Sequence, residues 1–152
     1  MATVYLGLGS NLGDRRKNIA KALTLIAEKV GDVIKVSGFH ETEPWGFHST
    51  SYFLNVAAIV ETNLQPINLL HITQEIEKET GRREKSANGA YKDRIIDIDI
   101  LFYDNQIIES PDLTIPHPLL HKRAFVLQPL VEIAPDFVHP VLERTVRELF
   151  CS

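Results

Sequence analysis

The chain has 152 residues, 44% hydrophobic and 24% charged, with a formal net charge of −4 and a pI near 5.8. Those values fit an ordinary globular chain with material for one core and one domain over residues 1–152, and they exclude a general electrostatic affinity for nucleic acid. The apolar runs are too short to span a bilayer, and MATVYLGLGS has no basic region before an apolar one, so neither a membrane segment nor a leader is expected. Cys151 is the only cysteine, which rules out an intrachain disulfide and points to a reducing, cytoplasmic setting.

Thr3 to Leu8 (TVYLGL) reads as a first strand running into the turn Gly9-Ser10-Asn11-Leu12-Gly13-Asp14. With Gly7, its glycines superficially suggest a nucleotide loop. No Lys-Ser/Thr pair follows, however, and Leu12 stands where a third dinucleotide glycine belongs, so the stretch reads as a strand-to-helix corner. The helix runs from Arg15 to Val30, with Ile19, Leu23, Ile26 and Val30 on one face. Gly31-Asp32 ends it, and Val33 to Glu41 alternates as a second strand. The segment from Thr42 to Phe53 (TEPWGFHSTSYF) is too long for a tight hairpin, and long aromatic loops of this kind are functional or packed Ω-loops. Asn55 to Thr62 is a third strand. Pro66 opens a second helix with Leu69, Ile72, Ile76 and Thr80 facing inward, and Gly81 closes it. Gln74 and Glu77 share another face, and spacing alone favours a solvated one.

Residues 82–94 carry Arg82, Arg83, Lys85, Lys92 and Arg94, five of the sixteen Lys and Arg residues, against Glu84 and Asp93. They lead into Arg94 to Phe102 (RIIDIDILF), a β-branched apolar run with the character of a buried strand. Asp97 and Asp99, two apart, share one face with Cα atoms roughly 6–7 Å apart. Two carboxylates that close are costly to bury without cations. With no Cys or His beside them, hard ions such as Mg²⁺ fit best. Cations and carboxylates flanking one site suit a polyphosphate with Mg²⁺. The bland alternatives are an acid-decorated strand face and a solvated basic loop.

The order strand, helix, strand, strand, helix, strand is the split βαβ pattern: an α+β, ferredoxin-like (βαββαβ) antiparallel sheet with helices on one face. The rest reads as C-terminal decoration: a short strand at Gln106–Glu109, the stretch Leu113 to His117, a helix over His121–Leu130 stopped near Pro129, and a small surface helix within Val141–Phe150. None of the six histidines falls in H-E-x-x-H or H-x-H, and Pro118 makes a helix through His117 and His121 doubtful, so zinc is not expected. Two rivals share the fold pattern. A palm-type or cyclase-like nucleotidyl transferase would release pyrophosphate, and the non-enzymatic rival is a ligand-sensing or RNA-binding module, with RNA opposed by the acidic pI and the lack of an RNP-type aromatic strand.

GLGSNLGDR, TEPWG followed by FLN, RIIDIDIL, IPHPLLHKRAFVL and PLVEIAP, in that order, resemble hydroxymethyl-dihydropterin pyrophosphokinase over nearly the whole chain. The resemblance implies a ferredoxin-like enzyme of folate biosynthesis that moves pyrophosphate from ATP to the hydroxymethyl group of a reduced pterin, using two Mg²⁺ ions and releasing AMP. It implies that Asp97 and Asp99 bridge the metals and that Arg82 and Arg94 contact the phosphates during transfer. It assigns Gln74, Glu77, Thr114, His117 and Arg123 to ATP, and Thr42, Pro44, Trp45, Phe53, Asn55 and Phe125 to the pterin. Its partners would be these two small molecules, with no nucleic acid and no membrane, and the enzyme is expected to be a monomer. Departures from the family pattern are Lys92-Asp93 before Arg94, Glu84 where a basic residue is common, and Pro118 where a Tyr often follows the His.

Overall fold

The computed structural model describes residues 1–42, 52–81 and 95–152. Its centre is β1 (Ala2–Ser10), whose alternating Val4, Leu6 and Leu8 are buried. β1 pairs antiparallel with β4 (Phe53–Thr62) on one side and with β5 (Asp97–Tyr103) on the other. β2 (Gly31–Val36) and β3 (His40–Thr42) both pair antiparallel with β4, giving the sheet order β2-β4-β1-β5 with β3 continuing the edge beside β4. This is the expected ferredoxin-like order.

The second strand is interrupted where a continuous Val33–Glu41 was expected. Ser37 explains the break: its N–H donates to the Ala57 carbonyl and its hydroxyl accepts from the Ala57 N–H, both at 2.9 Å. The side chain thereby stands in for a ladder partner, and the chain leaves the edge until His40. Thr42 and Phe53, expected to bound a loop, are directly paired strand residues.

Helices α1 (Arg15–Lys29) and α2 (Pro66–Thr80) cover one face. Asp14 caps α1 by accepting from Lys17 N–H. Ile19, Ala22 and Ile26 of α1 and Leu69 and Ile76 of α2 join Val4, Leu6 and Leu8 in one buried cluster. Lys29 and Glu79 pair across the two helices.

α1 passes into β2 with no loop between them. The buried Thr62 hydroxyl donates to the Val30 carbonyl at 2.7 Å, satisfying a helix-end acceptor. Gly31 follows at once, and a β-carbon there would lie 2.0 Å from the Glu61 carbonyl oxygen. Only glycine allows this approach of two backbones.

The opposite face is not bare. α3 (Ala124–Ile133) and α4 (Val146–Cys151) pack on it, burying Leu127, Leu130, Val146 and Leu149 against Ala57, Leu101 and Phe102. The ferredoxin-like sheet with C-terminal decorations is present, and only the expectation of helices on one face is corrected, because the decorating helices α3 and α4 cover the other. A register shift opposite Tyr5 and Leu6 inserts Leu101 as an extra β5 residue, so Leu101 and Phe102 both serve this second cluster. Pro129 lies inside α3 and is buried. The helix runs through it to Ile133 because losing one backbone hydrogen bond is offset by burial of the apolar face.

The last helix is shorter than Val141–Phe150. Its start is fixed by a capping box between Thr145 and Glu148. Before it, Val141 and Leu142 donate their N–H groups to Nδ1 of the buried His139 at 3.2 and 3.1 Å. The His139 ring meets Phe102 edge-on at 5.5 Å, and Phe102 also touches Phe137 at 4.5 Å. Ile108–Glu109 (β6) pairs with Thr114–Ile115 (β7) in a separate two-stranded sheet. After the cis Ile115–Pro116 bond, His117 N–H returns the chain to β5 by donating to the Leu101 carbonyl at 3.1 Å.

Gly31→Ala is expected to lower the urea midpoint by the equivalent of about 1–3 kcal/mol, because backbone rather than a flexible side chain blocks the new methyl. An unchanged midpoint would contradict the contact. A second expectation concerns acid. Burial first, and His121 second, hold the His139 imidazole below its ordinary 6.5. Above about pH 6.5 the ring is neutral folded or unfolded and its stability contribution is complete. As pH falls below that value the unfolded chain takes up the proton first, and stability is lost down to the folded pKa. His117, lowered by burial and by Arg123, adds the same sign. His139→Asn keeps an acceptor for the two N–H groups but cannot titrate, so chemical denaturation between pH 7 and 5 should show a shallower loss in the variant.

Candidate active site

The register places the key side chains at one end of the sheet. Asn55, Gly9 and Asp97 lie opposite one another on β4, β1 and β5, and Ala57, Gly7 and Asp99 form the next such row. Alternation along each strand puts these residues on one face. Phe53, Thr42 and His40 extend the same face over β4 and β3. Asn55 is buried, and its Nδ2 donates to the Thr42 hydroxyl at 2.8 Å. Phe53 is half-buried beside it. Between these residues and Asp97, β1 contributes no side chain. A β-carbon on Gly9 would lie 2.9 Å from Asn55 Oδ1 and 3.3 Å from Phe53 Cδ1.

Asp97 and Asp99 are half-buried on β5, while Ile98 and Ile100 between and beyond them point into the α1/α2 core. The common face expected from their spacing is present. Across the free edge of β5 stands Glu77 of α2. It is 5% exposed, and its Oε2 accepts from Ile98 N–H at 2.9 Å, midway between the two aspartates. The solvated face inferred for Gln74 and Glu77 therefore holds for Gln74, which is exposed, and fails for Glu77. A sheet edge leaves an amide unsatisfied, and here a helix-borne carboxylate takes it. Leaving that amide buried and unpaired would cost about 1–3 kcal/mol.

A cleft of about 280 Å³ opens beside that edge, with Leu70, Ile100, Leu113 and Pro118 on its walls and Asp99, Thr114 and His117 among its polar groups. His117 Nε2 lies 3.9 Å from Asp99 Oδ1. Burial, then the Arg123 guanidinium, lowers the His117 pKa, and Asp97 opposes them. At neutral pH the imidazole is uncharged, so its contact with Asp99 is not an ion pair. Arg123 is buried, with its guanidinium carbon 5.7 Å from the ring centre of half-buried Phe125.

The structure thus gathers Asp99, Thr114 and His117 around one cleft, with Asp97 and Arg123 in electrostatic reach of His117. It gathers Thr42, Phe53 and Asn55 across the glycine floor from Asp97. Gln74 does not line the cleft. Arg82, Arg94, Pro44 and Trp45 lie outside the described residues. Sequence reasoning passed over Gly9. Its signal was available: glycines at 7 and 9 alternate with apolar residues at 4, 6 and 8, which marks one strand face kept clear for close approach.

A family model described as 7,8-dihydro-6-hydroxymethylpterin-pyrophosphokinase (HPPK) matches residues 5–135. The chain is 49% identical over 141 residues to a Porphyromonas gingivalis 2-amino-4-hydroxy-6-hydroxymethyldihydropteridine pyrophosphokinase, covering 92% of this chain and 95% of the relative. It is 43% identical to the Aquifex aeolicus protein of that name, covering 97% and 90%. A solved Plasmodium falciparum HPPK-DHPS shares the fold with a TM-score of 0.79 at 20% identity, over 99% of this chain and 45% of the Plasmodium chain. The chain belongs to the 7,8-dihydro-6-hydroxymethylpterin-pyrophosphokinase family, the enzymes of the pyrophosphokinase step of folate biosynthesis.

Proposed function

We propose that this sheet face is the reaction floor for pyrophosphate transfer from ATP to the hydroxymethyl group of the reduced pterin, with the pterin over β4 and the phosphates over β5. One observation carries this reading. Asn55 and Asp97 sit opposite each other across Gly9 on one face, two interstrand steps or roughly 10 Å apart. That span places a heterocycle reader and a phosphate-side acid at opposite ends of one open floor.

Thr42 and Asn55 form the polar reader on the pterin side. Because Thr42 fixes the Asn55 amide by accepting from Nδ2, Oδ1 is oriented towards the floor as an acceptor for a ring N–H. Phe53 and Phe125, with Pro44 and Trp45, supply the apolar walls for a flat ring. On the nucleotide side the cleft beside β5 takes the base and ribose, with Thr114 and His117 as polar contacts. Neutral His117 can both donate and accept. Arg123, with Arg82 and Arg94, bears on the phosphate oxygens, and Gln74 reaches the nucleotide from the exposed face of α2. For Glu77 the geometry supports a second role besides the nucleotide contact: it pins the strand that carries both aspartates.

Asp97 and Asp99 suit Mg²⁺. They are two hard oxygen donors on one face, and no group of three or more His, Cys, Asp or Glu that could hold a metal occurs among the described residues. A cation held by two carboxylates takes its remaining oxygens from phosphate and water, which is the habit of Mg²⁺. When bound, two such ions supply charge neutralisation at the phosphate oxygens. The pterin hydroxyl oxygen forms its bond to the β-phosphorus as its proton passes to water, the bond from that phosphorus to the α,β-bridging oxygen breaks, and AMP departs. The side chains described here orient the two substrates and exclude water, so rate gain comes from alignment and electrostatics. None of the described helices is long and apolar enough to cross a membrane. We read the chain as one domain in a reducing cytoplasm, a reading that one sheet shared by both helical layers and a single exposed cysteine support.

Asp97→Asn and Asp99→Asn are each expected to lower kcat by about 10²-fold or more while unfolding stays cooperative, and AMP should remain the nucleotide product of residual turnover. Steady-state kinetics at saturating Mg²⁺ with chromatography of the nucleotides checks both. Near-normal turnover in either variant, or ADP as product, would remove the assignment.

A further inference from the structure

β3 is a three-residue edge strand, yet it carries Thr42 and begins the approach to residues 43–51. Strands this short pair weakly by themselves. Here β3 is gripped from both faces of the sheet. On the α1 side, Arg15 Nη1 donates to the Tyr52 carbonyl at 2.9 Å and Nη2 lies 2.7 Å from Glu41 Oε2. One guanidinium thus ties the end of β3 to the residue preceding β4, just beside the Thr42–Phe53 pair. On the α3 side, Glu132 accepts from Gly38 N–H at 2.6 Å, and its other oxygen lies 3.0 Å from His40 Nε2. Glu41 and His40 are consecutive and point to opposite faces, so the two clamps oppose each other across the strand.

From this geometry we infer that Arg15 and Glu132 are positioning residues for the pterin side of the site, acting through β3 to hold the Thr42 hydroxyl where it orients the Asn55 amide. The inference rests on the assignment of Thr42 and Asn55 to the pterin. Arg15 stands on the side away from the reaction face, Glu132 belongs to α3, which packs on the reaction-face side and meets His40 there, and neither lines the cleft beside β5. Both clamps are partly exposed: the Arg15 and Glu41 side chains are 32% and 53% accessible, and those of His40 and Glu132 are 20% and 45%. Exposed pairs contribute little to global stability, so their value lies in local geometry. The Glu132 carboxyl is held below the usual range, by the Gly38 N–H first and by His40 second, so the carboxylate can accept from both at neutral pH. Small displacements of an orienting group are felt in substrate binding well before they are felt in folding.

The test is steady-state kinetics on the full chain with Arg15→Gln, Glu132→Gln and the double variant, with Asn55→Ala as reference. Each single variant is expected to raise KM for the reduced pterin about two- to fivefold. The double variant should raise it further, while KM for ATP, kcat and the melting temperature hold. Arg15→Lys, which can reach one acceptor at a time, should recover part of the loss. An unchanged pterin KM in both clamp variants, with a raised one in Asn55→Ala, would overturn the positioning role and leave the pterin assignment standing. No effect of Asn55→Ala would overturn the assignment itself, and the inference with it. Parallel loss of both KM values and of melting temperature would show two fold braces instead, and would equally overturn the inference.

Discussion

Residue 9 lies on the central strand between Asn55 on β4 and Asp97 on β5, and a β-carbon there would stand 2.9 Å from Asn55 Oδ1. Most of the site follows from that lack of room. At this point β1 offers backbone alone, and the Asn55 amide and the Phe53 ring close over it. Asn55 can then be buried and still face the floor, and Phe53 can stand beside it. The apolar side chains of β1, Val4, Leu6 and Leu8, all go to the opposite face, where α1 and α2 bury them. One strand therefore anchors the core with one face and clears the site with the other.

The second constraint is electrostatic. Asp97 and Asp99 share a face, and Glu77 is buried at the same strand's edge. Asp97 and Asp99, two apart on one strand face, repel one another. Glu77 is stabilised by Ile98 N–H, and a cluster of cationic partners fits the other two. Burial first, and the buried Arg123 guanidinium second, hold the His117 imidazole below its ordinary range. On the proposed reading, a cation and a polyphosphate would relieve the repulsion between the aspartates on binding. The C-terminal layer reaches the same region: Arg123, just before α3, acts electrostatically on His117 of the cleft, and later α3 residues pack on the sheet.

The β1-α1-β2-β4-α2-β5 frame was legible because period-two and helical patterns are local properties of the chain. Asp97 and Asp99 were legible for the same reason. The C-terminal layer was misread where tertiary packing overrode local rules. Pro129 is tolerated inside α3 by burial, and Val141 and Leu142 keep helical spacing but surrender their N–H groups to His139. The Thr145-x-x-Glu148 cap that starts the last helix was written in the chain and would have placed it correctly. Glu77 could not be placed from spacing, because its partner is an edge amide 21 residues away in sequence. The grip of Arg15 and Glu132 on β3 was equally invisible, since each reaches a partner far along the chain.

On the proposed reading, the side-chain-free stretch of β1 at Gly9 joins a pterin half to a nucleotide half. Gly9→Ala measures it most directly, because the added methyl enters the floor beside Asn55 and Phe53. KM or Kd for the reduced pterin should rise about tenfold or more, the cost of a few tenths of an ångström at a reading group, while affinity for the nucleotide holds and the variant unfolds cooperatively. Unchanged pterin affinity in a folded Gly9→Ala enzyme would contradict the claim.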